Sequence, residues 1–254
     1  MKPLSLAREV KRKTRHRLLC GHFLLNRHWR QRQGQPLPKK ILFVHIIKTA
    51  GTYVFDYLAE HLRYGGYRVI DVESSKDHRN QINHYLAQEA MKDRPDRFIH
   101  CHADYLPKEF FEKFLERGWF SFSFVRHPGD LLCSYYFYAR INPDFHAEGS
   151  LDEFIRGCLM GRSGSGTTRL DYFGIPAYWK KMDFVAEFSE TNFKFFLKKY
   201  FGHRYAPKVP MNVSENKGYA YYCDQGQISA TTRAMLEASE QYRWYLEIKN
   251  KGVS

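Results

Sequence analysis

Between Ile41 and Leu62 a continuous apolar run meets a short glycine-bearing turn and then a helix, and this succession constrains the fold more than any other feature. Ile41 to Ile46 (ILFVHI) is apolar except for one histidine and does not alternate, the pattern of a strand buried on both faces. Val54, Tyr57, Leu58 and the His61/Leu62 pair then recur at helical spacing. The succession is repeated downstream. Tyr67 to Val72 and Phe98 to Cys101 read as strands with a polar helix around Gln81 to Met91 between them, and Lys108 to Arg117 is amphipathic. Trp119 to Val125 is a further strand, and Pro128, favoured in a first helical turn, opens a helix to Arg140. Strands alternating with helices predict an α/β chain, a parallel sheet flanked by helices on both faces. The C-terminal half reads as mainly helical (Leu151 to Leu159, Thr191 to Tyr200, Ser229 to Leu246), with a short strand at Asp183 to Val185. Gly161 to Thr168 (GRSGSGTT) reads as a mobile loop.

Charge divides the chain differently. The net charge is +13 over 254 residues, but residues 1 to 40 hold twelve bases and one acid, so +11 sits there and the rest is nearly neutral. We therefore expect a basic N-terminal arm over 1–38, ending in the linker-like Gln31 to Pro38, and a single domain over 39–254. Leu18 to Leu25, broken by Gly21 and His22, falls well short of the roughly 18–20 apolar residues of a membrane span. Leu18, Leu19, Phe23 and Leu25 sit among arginines and Trp29, so the arm reads either as a membrane-surface helix or as a solvated tail. Five cysteines without C-x-x-C spacing fit a reducing compartment, and the expected location is cytoplasmic, at the inner face of a membrane. With 43% hydrophobic and 17% aromatic residues the body can bury a core, which excludes an intrinsically disordered chain.

Two segments carry chemistry. Phe43 to Thr52 (FVHIIKTAGT) lies between the first strand and its helix, where backbone amides and a helix N-terminus favour an anion. Lys48 adds a full charge, and Thr49 and Thr52 add hydroxyl donors. The order differs from a Walker A loop, because Lys48 precedes the segment's one glycine, Gly51. Phe122 to Tyr138 (FSFVRHPGDLLCSYYFY) is again strand into helix, with Arg126 at the strand end and Ser134 two turns into the helix, both able to reach one phosphate. Two such sites on strand ends point to a ligand with two phosphate-type groups.

The pair HIIKTAGT and VRHPGDLLCSYY resembles the 5′-phosphosulfate loop and 3′-phosphate element of sulfotransferases that use 3′-phosphoadenosine 5′-phosphosulfate (PAPS), in particular the carbohydrate group with H-I-P-K-T-[AG]-G-T and R-[DN]-P. Ile99 to Leu106 (IHCHADYL) resembles the strand end of that group and the H-x-H of its uronyl 2-O-sulfotransferase branch. Asp183 to Phe188 and Asn212 to Ser214 are similar to weaker landmarks. Ile47 stands where the family has proline, and His127 where it has an acid or amide. The resemblance implies a P-loop-NTPase-like sheet and a PAPS site formed by Lys48, Thr49, Ala50, Gly51, Thr52, Arg126 and Ser134. It implies a carbohydrate or glycoconjugate acceptor over which Thr168 and Arg169 would close. His102 is the choice for general base, because an ordinary histidine pKa near 6.5 suits proton removal at neutral pH, with His100 as helper or substitute. His100 and His102 share one face of a strand; without a third partner nearby in the sequence, no metal is expected. His45 is read as a structural hydrogen-bonding group, and Lys217-Gly218 as a plain turn.

Two other classes compete. A P-loop kinase or NTPase shares the topology but needs the Walker A order and a Walker B acid. A non-enzymatic nucleic-acid- or membrane-binding protein would use the arm, but the body carries no helix-turn-helix, zinc or RNA-recognition signature, so nucleic acid is not an expected partner.

Overall fold

Side-chain alternation on five parallel strands decides the layers. The computed structural model describes residues 30–32, 34, 36–72, 86, 88–89, 92, 94–142, 147, 149–161, 170–171, 174–202 and 217–252. Strands β1 (Lys40–His45), β2 (Arg68–Val72), β3 (Arg97–His102), β4 (Phe120–Val125) and β5 (Phe184–Glu187) form one sheet in the order β2-β3-β1-β4-β5, every neighbouring pair parallel. Ile41 and Phe43 of β1, Phe98 of β3, Phe122 and Phe124 of β4 and Phe184 of β5 pack on one face, under helix α1 (Gly51–Tyr64) and helix α5 (Glu190–Phe196). Leu42, Val44, Ile99 and Cys101 project to the opposite face, against helix α2 (Lys108–Glu116) and Trp119. Beyond them, Val125 and helices α3 (Pro128–Ile141) and α4 (Leu151–Met160) join the C-terminal helices in a further cluster. Helices thus cover both faces and the C-terminal half is helical, as the alternation requires. Burying each Phe of the first face contributes on the order of 2 kcal/mol.

The C-terminal half departs from the simple periodic reading. The helix expected over Ser229 to Leu246 is two, α7 (Ala230–Glu237) and α8 (Glu240–Lys251). Ser239 separates them: its hydroxyl accepts from the Tyr242 amide and donates to the Leu236 carbonyl, a cap that outcompetes continuation. A short helix α6 (Tyr219–Asp224), for which the periodic reading assigned no element, precedes them directly after Lys217-Gly218. Helix α5 runs into a π-helical turn, Leu197–Phe201, closed by Gly202 at φ 66°. Arg30 and Leu37, both within the segment read as an arm, are buried against the body. The Arg30 guanidinium donates to the Lys198 and Lys199 carbonyls at the end of that π turn, the helix end that favours a cation. Leu37 joins the Phe43 cluster. Of the helix expected around Gln81 to Met91, Leu86, Gln88 and Glu89 are helical, and Glu89 forms a buried ion pair with Arg97. Among the described residues, no helix is long and apolar enough to cross a membrane.

Candidate active site

The chain leaves β1 toward β2 on one side and leaves β4 toward β5 on the other, so the C-terminal ends of β1 and β4 flank the switch point at which open α/β sheets bind ligands. Residues 46–50 fill that point in a constrained loop. Lys48 (φ 60°) and Ala50 (φ 58°) are both left-handed, at a cost of roughly 1–2 kcal/mol each for residues with a Cβ. Three bonds hold them there: Thr49 Oγ1 donates to the Ile46 carbonyl (2.5 Å), Arg126 Nη1 to the Lys48 carbonyl (3.3 Å) and the Val54 amide to the Ala50 carbonyl (3.1 Å). Backbone of this kind builds the concavities in which amides face an anion. Helix α1 begins at Gly51 with no side-chain cap and no acid in its first turn, so its positive end is not neutralised.

These contacts redistribute the expected roles. The Thr49 hydroxyl is buried and spent inside the loop, so Thr49 can offer a ligand only its amide; Thr52 is exposed and keeps its hydroxyl for one. Gly51 is required for a reason the sequence did not disclose. A Cβ there would lie 1.9 Å from Cδ2 and Nε2 of His45. Ile47, which stands where the resembling carbohydrate group has proline, is half-buried against the apolar cluster around Leu131 and Tyr136.

Lys48 and Ser134 open into one cleft of about 1220 Å³, walled along α3 by Tyr138 and Ile141 and across from it by Tyr222 and Gln227. The Lys48 ammonium sits 3.8 Å from the centroid of Tyr138, a contact that sequence reasoning missed although Tyr138 lies one helical turn beyond Ser134. Burial, and then the nearby Arg126 guanidinium, hold the Lys48 ammonium below its ordinary pKa. Arg126 and His102 are not among the residues lining this cleft; Arg126 reaches it through the Lys48 backbone. His127 is the N-cap of α3: its Nδ1 accepts from the Gly129 amide at 3.1 Å, the task an Asp or Asn performs at such a position. Burial lowers its pKa and keeps that nitrogen bare. Asp130 accepts from the Tyr219 amide at 2.6 Å and so docks α6 onto α3, with Gly218 at φ 87° beside it.

The histidines converge as their strands are registered. His45 pairs with His102 across β1 and β3, and Asp71 with His100 across β2 and β3. His100 is 2% exposed and stacked under Phe55, its Nδ1 bonded to the Asp71 carboxylate at 2.6 Å and its Nε2 to His45 Nδ1 at 3.1 Å. It is thus closed to an acceptor, which counts against the expectation that His100 could act as the base. His102 is half-buried; burial and His100 lower its pKa to about 4, against an opposing pull from Asp71. The third histidine that the sequence did not place beside H-x-H is His45. One nitrogen from each ring lies within 4.8 Å of the others, but two of these rings already bond each other. Thr168, Arg169, Asn212 to Ser214 and most of Gly161 to Thr168 lie outside the described residues.

No family model and no curated protein matches the chain. Among solved structures it is similar to a mouse sulfotransferase complexed with PAP, at 15% identity over 79% of this chain and 67% of that one, with a TM-score of 0.47. It is also similar to shikimate kinase from Bacteroides thetaiotaomicron, at 13% identity over 63% of this chain and 98% of that one, with a TM-score of 0.38. Likeness at this level speaks to neither activity nor substrate.

Proposed function

We propose that the chain is a sulfotransferase that moves a sulfuryl group from PAPS to a hydroxyl of a carbohydrate or glycoconjugate. The supporting observation is the coupling of two cationic anchors across the sheet's switch point: Arg126, after β4, bonds the carbonyl of Lys48, after β1, and Lys48 shares a cleft with Ser134. That arrangement suits a donor with separate 5′ and 3′ phosphates. The amides of Thr49, Ala50 and Gly51 and the Thr52 hydroxyl would hold the 5′ group, and Arg126 with Ser134 the 3′ phosphate. PAPS, when bound, supplies the sulfuryl group and a phosphate leaving group. Lys48 would then meet negative charge as it develops on the bridging oxygen, which is the charge a transfer of this type must stabilise. His102 would take the acceptor proton. With its pKa held low in the free protein it is neutral and able to accept one at pH 7. The transfer so described calls on no metal. The resemblance of IHCHADYL to carbohydrate-group enzymes supports the acceptor class, and the +11 charge of residues 1 to 40 supports approach to an anionic membrane surface.

Calorimetry with adenosine 3′,5′-bisphosphate tests the donor site. The wild type should bind in the micromolar class, Arg126→Ala and Lys48→Ala at least tenfold more weakly, and ATP with magnesium should not compete. Absence of binding by a folded protein, or tighter binding of ATP with magnesium, would overturn the assignment.

A further inference from the structure

Strands β2, β3 and β1 bring Asp71, His100 and His45 into line on one sheet face, and the protons of this line can be assigned. A carboxylate only accepts, so His100 Nδ1 bears the hydrogen at 2.6 Å from Asp71. With the rings neutral, His100 Nε2 is bare and accepts from His45 Nδ1 at 3.1 Å. His45 Nε2 is then bare as well. It is fully buried, and among the described residues nothing donates to it. A buried acceptor without a donor is an unfavourable feature, and such a group in a native structure calls for an explanation. The ring that lies edge-on to His45, at a centroid distance of 4.5 Å, is His102.

We propose that Asp71, His100 and His45 are positioning residues that act through His102: as one nitrogen of His102 takes the acceptor proton, the N–H of its other nitrogen turns onto the bare Nε2 of His45. The inference rests on His102 being the base of the proposed transfer. In that step the acceptor oxygen forms a bond to sulfur and its proton passes to His102. The bond from sulfur to the bridging oxygen breaks, and the electron pair stays on that oxygen. His102 gains one positive charge, and the chain behind it ends on the Asp71 carboxylate. The hydrogen that His102 gives to His45 is on the ring before the transfer, on the nitrogen away from the acceptor; the bond becomes charge-assisted once the ring is an imidazolium, so it stabilises the later state more than the starting one. The His102 and His45 rings meet edge-on at 4.5 Å between centroids, and the broad terminal torsion of histidine lets His102 turn an N–H toward its neighbour. Among the described residues, the groups that face His102 and His45 are Asp71 and His100 on the neighbouring strands, Lys48 from the loop after β1, and Tyr105 from the 3-10 turn Ala103–Tyr105. Burial and His100 together disfavour a charged His102, which is the penalty an added acceptor would offset.

The test is imidazole nitrogen NMR with a pH titration of the wild type, His45→Phe and Asp71→Asn. His45→Phe keeps a ring and removes the acceptor. Asp71→Asn keeps an oxygen for His100 and removes the charge, at a side chain already one-third exposed, so the fold is not at risk. Expected are a protonated Nδ1 and bare Nε2 on both His45 and His100, and a fall in the His102 proton affinity of at least threefold in each variant. A protonated Nε2 on His45 would overturn the chain, as would an unshifted His102 in His45→Phe. So would micromolar binding of zinc that replaces the His45–His100 bond, which would make the three rings a metal centre. Calorimetry of the wild type with adenosine 3′,5′-bisphosphate reports separately on the donor site, so failure of either reading is recognisable.

Discussion

Gly51→Ala should damage this protein although Gly51 is the first residue of a helix, where alanine is ordinarily welcome. Its Cβ would lie 1.9 Å from two atoms of the His45 ring and 2.4 Å from Cε1, against an ordinary contact of about 3.4 Å or more, so the ring must retreat by about 1.5 Å. It has nowhere to go. His45 is stacked on Phe43 at 5.7 Å and on His100 at 5.1 Å, and is bonded to His100 Nε2 at 3.1 Å. Overpacking a filled site costs about 1–3 kcal/mol, and loss of the His45–His100 bond adds about 1 kcal/mol. Urea denaturation should therefore read a loss of roughly 2–4 kcal/mol. The same change at Gly157, inside α4 with nothing within 4 Å of its Cβ, should stabilise by up to about 1 kcal/mol. If the ring contact is the cause, His45→Ala with Gly51→Ala should lose at least 1 kcal/mol less than the sum of the two single losses, a margin expected of residues in direct contact. A Gly51→Ala protein within about 0.5 kcal/mol of the wild type would refute the argument, and so would strict additivity, since that is the reach of ordinary surface changes.

Three further outcomes follow from the same contacts. Arg97→Met leaves Glu89 buried with only the half-exposed Lys92 as partner and should cost about 3 kcal/mol in urea denaturation; Glu89→Leu combined with Arg97→Met should recover most of it, because the uncompensated charge is then gone. The pKa values of His45, His102 and His127 are held below the ordinary value near 6.5, so the unfolded chain binds protons first on acidification. The stability they confer is fully present above pH 6.5 and is lost as pH falls toward 4; His102 alone accounts for about 3 kcal/mol, readable as a falling Tm across that window. Ser239→Ala removes the cap between α7 and α8 and should cost about 1 kcal/mol, whereas a loss under about 0.3 kcal/mol would mean that packing alone sets the break.

The local units were legible because each is decided by neighbours in sequence. A continuous apolar run beside a Gly-bearing turn specifies strand and helix, and Pro128 specifies where a helix starts; the β1 and β4 segments therefore already placed Lys48, Arg126 and Ser134 on loop, strand end and helix. The break at Ser239 was missed because a hydroxyl's capping bond outweighed an unbroken helical period. That the Thr49 hydroxyl is spent was not legible, because it bonds three residues back, within the loop that only the folded backbone defines.

By itself, then, the sequence determined the alternation of elements, the position of the cationic anchors and the family that the two motifs resemble. The tertiary structure decided strand order and register, and with them every contact between residues distant along the chain. Asp71 meets His100 and His100 meets His45 only because β2, β3 and β1 are neighbours in parallel register. Tyr138 lies over Lys48 only because α3 and the loop before α1 start from adjacent strand ends. Propensity and periodicity act over a few residues, whereas these pairings depend on which strands lie side by side, which no local pattern encodes.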